Sequence, residues 1–342
     1  MAGYPAIAGY RLEAKGEADK VGGVKVVVFG ATGLLGRAVC RAALGRKFQL
    51  NAFSASGAED LAEVGPVAPL DLADDEALTR ALLDLWPDAI LNCAAVSSPD
   101  TVDADPDHAR RVNVDAPERL GQIAAHLGAR FLHVSTDLVF DGTASPYRST
   151  DQTAPVNEYG RQKLEAEKRV LKACEDNVVV LRITLLNGNS PGGRRSQHEK
   201  LLRALAAGQT PTLFEDEFRQ PCSADNAGEV LVELCERPQL NGLFHWAGNE
   251  RISRYEVGVR IFERFGLSPD LLAKGKRADL ADKLGERPGD LAFLLDPLEG
   301  KLKTRTQNVD EQLEELRIPD DLYDWYRQNA SDPTRYVRRF KL

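Results

Sequence analysis

Tyr159 and Lys163 stand four residues apart in a stretch whose pattern predicts a helix over Asn157–Ala173. On a helix that interval puts both side chains on one face. A phenol titrates near ~10 and is a slow acid at neutral pH. A neighbouring ammonium favours the phenolate and lowers that value. The pair therefore suits a proton donor to a carbonyl that receives a hydride; a surface pair on an amphipathic helix is the plainer reading. Ser135-Thr136-Asp137 closes a predicted strand. A hydroxyl at that carboxyl edge is placed to hydrogen-bond a substrate carbonyl.

A second constellation is Gly30-Ala31-Thr32-Gly33-Leu34-Leu35-Gly36. Between a strand and a helix, the first glycine permits a tight turn and the second lets backbone N–H groups approach a pyrophosphate. The third allows close packing, and the helix N-terminus adds favourable dipole charge. The next strand ends in NAFSAS, which offers Ser54 and Ser56 and no acid for a free 2′-hydroxyl. Arg37 is placed to meet a 2′-phosphate, or else is a solvated helix charge. The reading leans to NADP, with NAD the other option.

The elements that must position these groups alternate along the chain. Strands are predicted at Val24–Phe29, Phe48–Phe53, Val67–Leu70, Ala89–Cys93, Arg130–Ser135 and Val178–Ile183. Helices are predicted at Arg37–Leu44, Asp75–Leu85, Pro106–Leu127 and Asn157–Ala173. This order implies βαβ units and a doubly wound parallel sheet of Rossmann type. The expected division is a lead-in at 1–23, a dinucleotide-binding part at 24–186 rejoined by 217–247, a smaller α/β substrate-binding part at 187–216 and 248–316, and an extension at 317–342. Helices at Glu199–Ala207, Ala224–Arg237 and Arg254–Phe265, and an edge strand at Gly242–Trp246, complete the pattern. Leu291–Leu295 and an acidic helix near Val309–Leu316 close it.

Composition narrows the function. The chain has 342 residues, 44 Lys plus Arg and 52 Asp plus Glu, a net charge of −8, which argues against a general nucleic-acid binder. No apolar run approaches the ~20 residues of a membrane span. The N-terminus has no apolar core of a secretory signal. Five scattered cysteines read as free thiols in a reducing, cytoplasmic setting. The five histidines make no metal-binding cluster, and His133, inside a strand, reads as a packed core residue.

Together, GATGLLG at 30–36, NCAA at 92–95, VNVDAPERL at 112–120, VSTDLVFDG at 134–142 and PVNEYGRQKLEAE at 155–167 resemble the extended short-chain dehydrogenase/reductases. Within them the chain is similar to the dTDP-4-dehydrorhamnose reductase group. That group includes the regulatory β subunit of methionine adenosyltransferase, which the segments at 242–256 and 286–296 also resemble. The resemblance implies that Tyr159 donates a proton, Lys163 bonds the nicotinamide ribose and lowers the Tyr159 pKa, and Thr136 orients the carbonyl. It places Thr32, Leu34 and Leu35 at the cofactor with the three glycines, and Asp71 and Leu72 at the adenine. Cys93, Ala94 and Ala95 lie along the cofactor ribose. Ser97, Asn113 and Arg287 fall on the substrate side, Arg287 toward a nucleotide-sugar diphosphate. Leu138 and Leu185 stand where the reductases usually carry Tyr and Trp.

The expected function is an NAD(P)-dependent reductase of a 4-keto nucleotide sugar. The alternatives are a non-catalytic dinucleotide-binding regulatory subunit, and an epimerase or dehydratase, for which Asp137 supplies the extra acid. The expected partner is a small substrate, with a homodimer or a regulatory hetero-complex both open.

Overall fold

The computed structural model describes residues 23–56, 59–174, 176–280 and 287–336. The predicted lead-in, save Gly23, lies outside them.

The run KVVVF forms β1 (Lys25–Phe29), whose last four residues are buried. Branched side chains covered on both faces favour such a central strand. It is followed by α1 (Leu34–Gly45), β2 (Gln49–Ser54), β3 (Glu59–Leu61), β4 (Gly65–Pro69) and α2 (Asp75–Leu85). Next come β5 (Ala89–Asn92), α3 (Pro99–Ala104), α4 (Pro106–Arg110), α5 (Ala116–Leu127), β6 (Arg130–Thr136), α6 (Glu158–Ala173) and β7 (Val178–Ile183). The second half runs β8 (Leu186–Asn187), α7 (Gln197–Ala206), β9 (Thr212–Phe214), β10 (Phe218–Arg219), β11 (Cys222–Ser223) and α8 (Ala224–Cys235). It ends with β12 (Gly242–Trp246), β13 (Ile252–Ser253), α9 (Arg254–Arg264), β14 (Ala273–Gly275), α10 (Val309–Leu313) and α11 (Tyr323–Asn329).

The main sheet has the order β12-β7-β6-β5-β1-β2-β4-β3. Every pair in it is parallel except the β3–β4 hairpin at one edge. It is the Rossmann-like doubly wound fold expected from the sequence. One core fills the face under α1 and α8, with Val26, Val28, Val39, Leu91, Val179, Leu231 and Trp246. The other face holds Val27, Phe29, Leu78, Ile90, Leu120, Phe131 and Val180. Because the strands run parallel, their carboxyl ends share one edge, where Phe29, Asn92 and Thr136 open into loops.

Some local outcomes differ from the predicted elements. β3 was not expected, because EDL carries two acids. The helix predicted over Pro106–Leu127 is widened at Arg111–Asp115 into a π-turn, where Ala116 N–H reaches Arg111 O. Pro117, with no N–H and a ring that crowds the carbonyl four residues back, accounts for the widening. The Leu291–Leu295 segment packs Leu291, Phe293 and Leu295 against Val139, Phe140 and Tyr147.

Candidate active site

The Gly30–Gly36 loop leaves β1 with Gly30 at φ 79°. A Cβ on Gly30 would lie 2.8 Å from the Ala94 nitrogen, and one on Gly36 would lie 2.0 Å from the Gly30 oxygen. The loop thus presses against the end of β5 with no room for side chains. The first intrahelical bond of α1 runs from Arg37 N–H to Gly33 O at 3.0 Å. The N–H groups of Leu34, Leu35 and Gly36 precede it, Gly33 makes no side-chain cap, and the first turn carries no acid. That leaves a helix N-terminus whose donors suit the diphosphate of a dinucleotide.

At the end of β2 three hydroxyls meet. Thr32 Oγ1 lies 2.7 Å from Ser54 Oγ and 3.1 Å from Ser56 Oγ, and the two serine oxygens are 2.8 Å apart. This donor–acceptor set fits a ribose hydroxyl or a 2′-phosphate. Arg37 turns toward Glu63, at 3.8 Å.

Tyr159 and Lys163 sit on the inward face of α6, which Asn157 caps by accepting from Gly160 N–H at 2.8 Å. Gly160 is required there, since a Cβ would fall 2.3 Å from the Leu138 oxygen. Tyr159 packs with Val102, Ala109, Val96 and Leu138. Burial, together with the nearby Asp137 carboxyl, pushes its phenol above the usual value. Lys163 is buried, its Nζ lies 3.0 Å from His133 Nε2, and burial brings its ammonium down to about 8. The Thr136 hydroxyl also has partners. It donates to Asp137 Oδ1 at 3.1 Å and accepts from Leu138 N–H at 3.2 Å.

The remaining expected residues divide. Ala94 N–H donates to Asn92 Oδ1 at 3.1 Å, which fixes the 93–95 segment beside Gly30. Cys93 and Ala95 are half-buried on that segment. The Cys93 thiol is pushed up by burial. Ser97 is exposed. Asp71 accepts from Ala73 N–H at 2.9 Å, while Leu72 packs into the core cluster of Phe29 and Leu78. Asn113 is wholly buried, and its amide bonds Val96 N and O at 2.9 and 3.1 Å and Gln162 Oε1 at 3.1 Å. It braces the loop after β5.

A charged chain runs on from Thr136 that sequence reading did not assemble. Asp137 is buried. Its Oδ2 accepts from Thr184 Oγ1 at 3.0 Å and lies 3.8 Å from Arg219 Nε. Burial raises its pKa, against the opposing pull of Arg219. Arg219 then pairs with buried Glu217 at 3.1 Å, and Arg254 and Arg287 approach the same carboxylate at 3.7 and 3.9 Å. Burial lowers Arg254 to about 10. Charges in the short strand DEFRQ were the available signal. Among the described residues no group of three or more His, Cys, Asp or Glu could hold a metal, and no helix is long and apolar enough to cross a membrane.

A family model described as the RmlD substrate binding domain matches residues 24–316. Methionine adenosyltransferase 2 subunit beta from Pongo abelii is 36% identical over 250 residues, 71% of this chain and 72% of that protein. A protein named probable low-salt glycan biosynthesis reductase Agl14, from Haloferax volcanii, is 30% identical over 292 residues, 84% of this chain and 96% of its own. Among solved structures, dTDP-4-dehydrorhamnose reductase from Bacillus anthracis in complex with NADP superposes with a TM-score of 0.75 at 19% identity. It covers 85% of this chain and 98% of that one, a likeness of fold.

Proposed function

The chain belongs to the RmlD substrate binding domain family, and from that premise we propose that it is an NAD(P)-dependent reductase of a 4-keto nucleotide sugar. The observation that carries the reading is the convergence on one sheet edge of the glycine cradle, Thr136 and the buried Tyr159–Lys163 face of α6. The neighbour solved with NADP and the Thr32/Ser54/Ser56 hydroxyls support a pyridine dinucleotide. When bound, the nicotinamide supplies the hydride.

The chain's own groups do the rest. Gly30, Gly33 and Gly36 admit the diphosphate, and Lys163 turns to the nicotinamide ribose. Tyr159 hands its proton to the carbonyl oxygen. Thr136 orients that oxygen once its hydrogen leaves Asp137, which keeps Thr184 and Arg219 as partners. Arg219, Arg254 and Arg287 carry three positive charges against Glu217 and Asp137. The surplus suits an anionic handle such as a sugar-nucleotide diphosphate, which holds the reacting carbon in place.

The test is NADPH oxidation with dTDP-4-dehydrorhamnose, in wild type and Tyr159→Phe. Loss of the proton donor is expected to lower the rate by at least ~100-fold with NADPH affinity retained. An unchanged rate overturns the role of Tyr159.

A second reading, a dinucleotide-binding regulatory subunit, is favoured by the 36% identity to methionine adenosyltransferase 2 subunit beta and by Leu138 and Leu185 at two expected pocket aromatics. It predicts dinucleotide binding without turnover, and a stoichiometric protein partner in a pull-down from native extract.

A further inference from the structure

Lys163 ends in a buried polar chain whose hydrogens come into conflict when the lysine is charged. Asn92 Oδ1 accepts the Ala94 N–H at 3.1 Å, which fixes the amide so that Nδ2 faces His133 Nδ1 at 3.3 Å. The amide nitrogen only donates, so Nδ1 must be the bare, accepting nitrogen of a neutral ring. Nε2 then carries the hydrogen and points at Lys163 Nζ, 3.0 Å away. An N–H meets an ammonium as donor against donor, but it meets a neutral amine as a hydrogen bond. Asn92, His133 and Lys163 are each 1% exposed or less, so water does not relieve the conflict.

We propose that Asn92 and His133 tune the protonation of Lys163: Asn92 holds His133 in its Nε2–H tautomer, and that tautomer destabilises the ammonium form of Lys163 relative to the neutral amine. His133 is a positioning residue here, since it acts through the lysine. The other groups around Lys163 do not undo the arrangement. Glu167, one turn on along α6, is neutralised by Arg182 at 2.7 Å. Cys93, from the end of β5, keeps its proton because burial raises its thiol. Tyr159, one turn back on α6, stays a neutral phenol. The lowered Lys163 pKa, about 8, and the lowering of His133 well below the usual histidine value by burial agree with this.

The consequence rests on the dinucleotide reading above. Above about pH 8, where the amine predominates, Lys163 leaves His133 to bond a ribose as an ammonium and takes up to one proton from solvent: the amine lone pair forms the new N–H bond, and the buffer acid gives up the proton. Dinucleotide binding above pH 8 then carries proton uptake, so affinity falls as pH rises through that range.

The test begins on the ligand-free chain and needs no dinucleotide. In ¹⁵N-labelled protein at pH 9, His133 is expected to show a protonated Nε2 and a bare Nδ1, and Lys163 Nζ to titrate near pH 8 rather than near ~10.4. In Asn92→Asp the new carboxylate accepts from Nδ1–H. His133 should flip tautomer, and the Lys163 midpoint should rise by about one pH unit or more. A wild-type His133 protonated at Nδ1, or a Lys163 that titrates at the ordinary lysine value, overturns the proposal even if the variant fails to fold. Calorimetry of NADP binding at pH 8.5 in two buffers of different ionisation enthalpy tests the linkage. Uptake approaching one proton is expected in wild type and less in Asn92→Asp; equal uptake in both contradicts it. Absent binding would overturn the dinucleotide reading and leave the spectroscopic result standing.

Discussion

Tyr159 has to be acidic enough to give up a proton, yet burial and the neighbouring Asp137 carboxyl hold its phenol above the ordinary value. The proposed catalysis therefore depends on a cation at Lys163, the group that α6 places one turn away. Since Lys163 loses its charge near pH 8 in the free chain, kcat/KM for carbonyl reduction is expected to fall about tenfold per pH unit above that point. A pH profile of kcat/KM from 6 to 10 checks it, and a flat profile above 8 contradicts it. The Tyr–Lys interval was legible because four residues on a helix is a fixed geometry. The His133 contact was not, because a histidine inside an apolar strand reads as packing, and only the fold shows which side chain it packs against.

Elements defined by strong local chemistry were the legible ones. α2 begins on a cap, Asp74 accepting from Ala77 N–H at 3.0 Å, and repeats Leu78 and Leu82 toward the core. β7 and β12 are mostly apolar or aromatic, each with a single polar side chain, Arg182 and His245. Polar elements such as β3 and α3 were missed because their stability comes from neighbours in space rather than from their own residues. Two links between elements carry predictions. The buried Glu167–Arg182 pair ties α6 to β7, and Glu167 also accepts from Ser135 on β6. Glu167→Ala leaves a buried guanidinium unpaired and is expected to destabilise the fold by about 3–5 kcal/mol in chemical denaturation. Glu233 on α8 staples the 303–304 segment. Burial alone would raise its carboxyl, but bonds from Lys303 N–H, Thr304 N–H, Arg237 and the Thr304 hydroxyl outweigh that and hold it at about 2. A carboxylate depressed in the folded state stabilises above its unfolded value, near ~4.3, and loses that contribution as pH falls toward about 2. Glu233→Gln should therefore flatten the acid limb of stability between those values, and an unaltered acid limb would remove the staple from the account.

Over the whole molecule, two bodies of packed side chains meet at the sheet edge. The sheet carries the cradle and α6, while a second cluster unites Leu202, Ile261, Phe262 and Phe265 with Val309, Leu313, Leu322, Tyr326 and Tyr336. The chain after residue 317 contributes buried Tyr326 and Tyr336 to that cluster as far as it is described. Tyr326→Ala is expected to cost about 3–5 kcal/mol of stability, read from denaturant midpoints, and a neutral result would make the extension dispensable for folding. Arg254, the first residue of α9, approaches Glu217 and so links this second body to the charged chain that starts at Thr136. The most direct test of the central claim follows the hydride itself. NADPH deuterated at the transferring C4 position is incubated with the chain and dTDP-4-dehydrorhamnose, and the sugar product is weighed by mass spectrometry. One deuterium in the product is the predicted result. A dinucleotide that binds and is recovered unoxidised, with no labelled sugar formed, would contradict the reductase and leave the regulatory reading in its place.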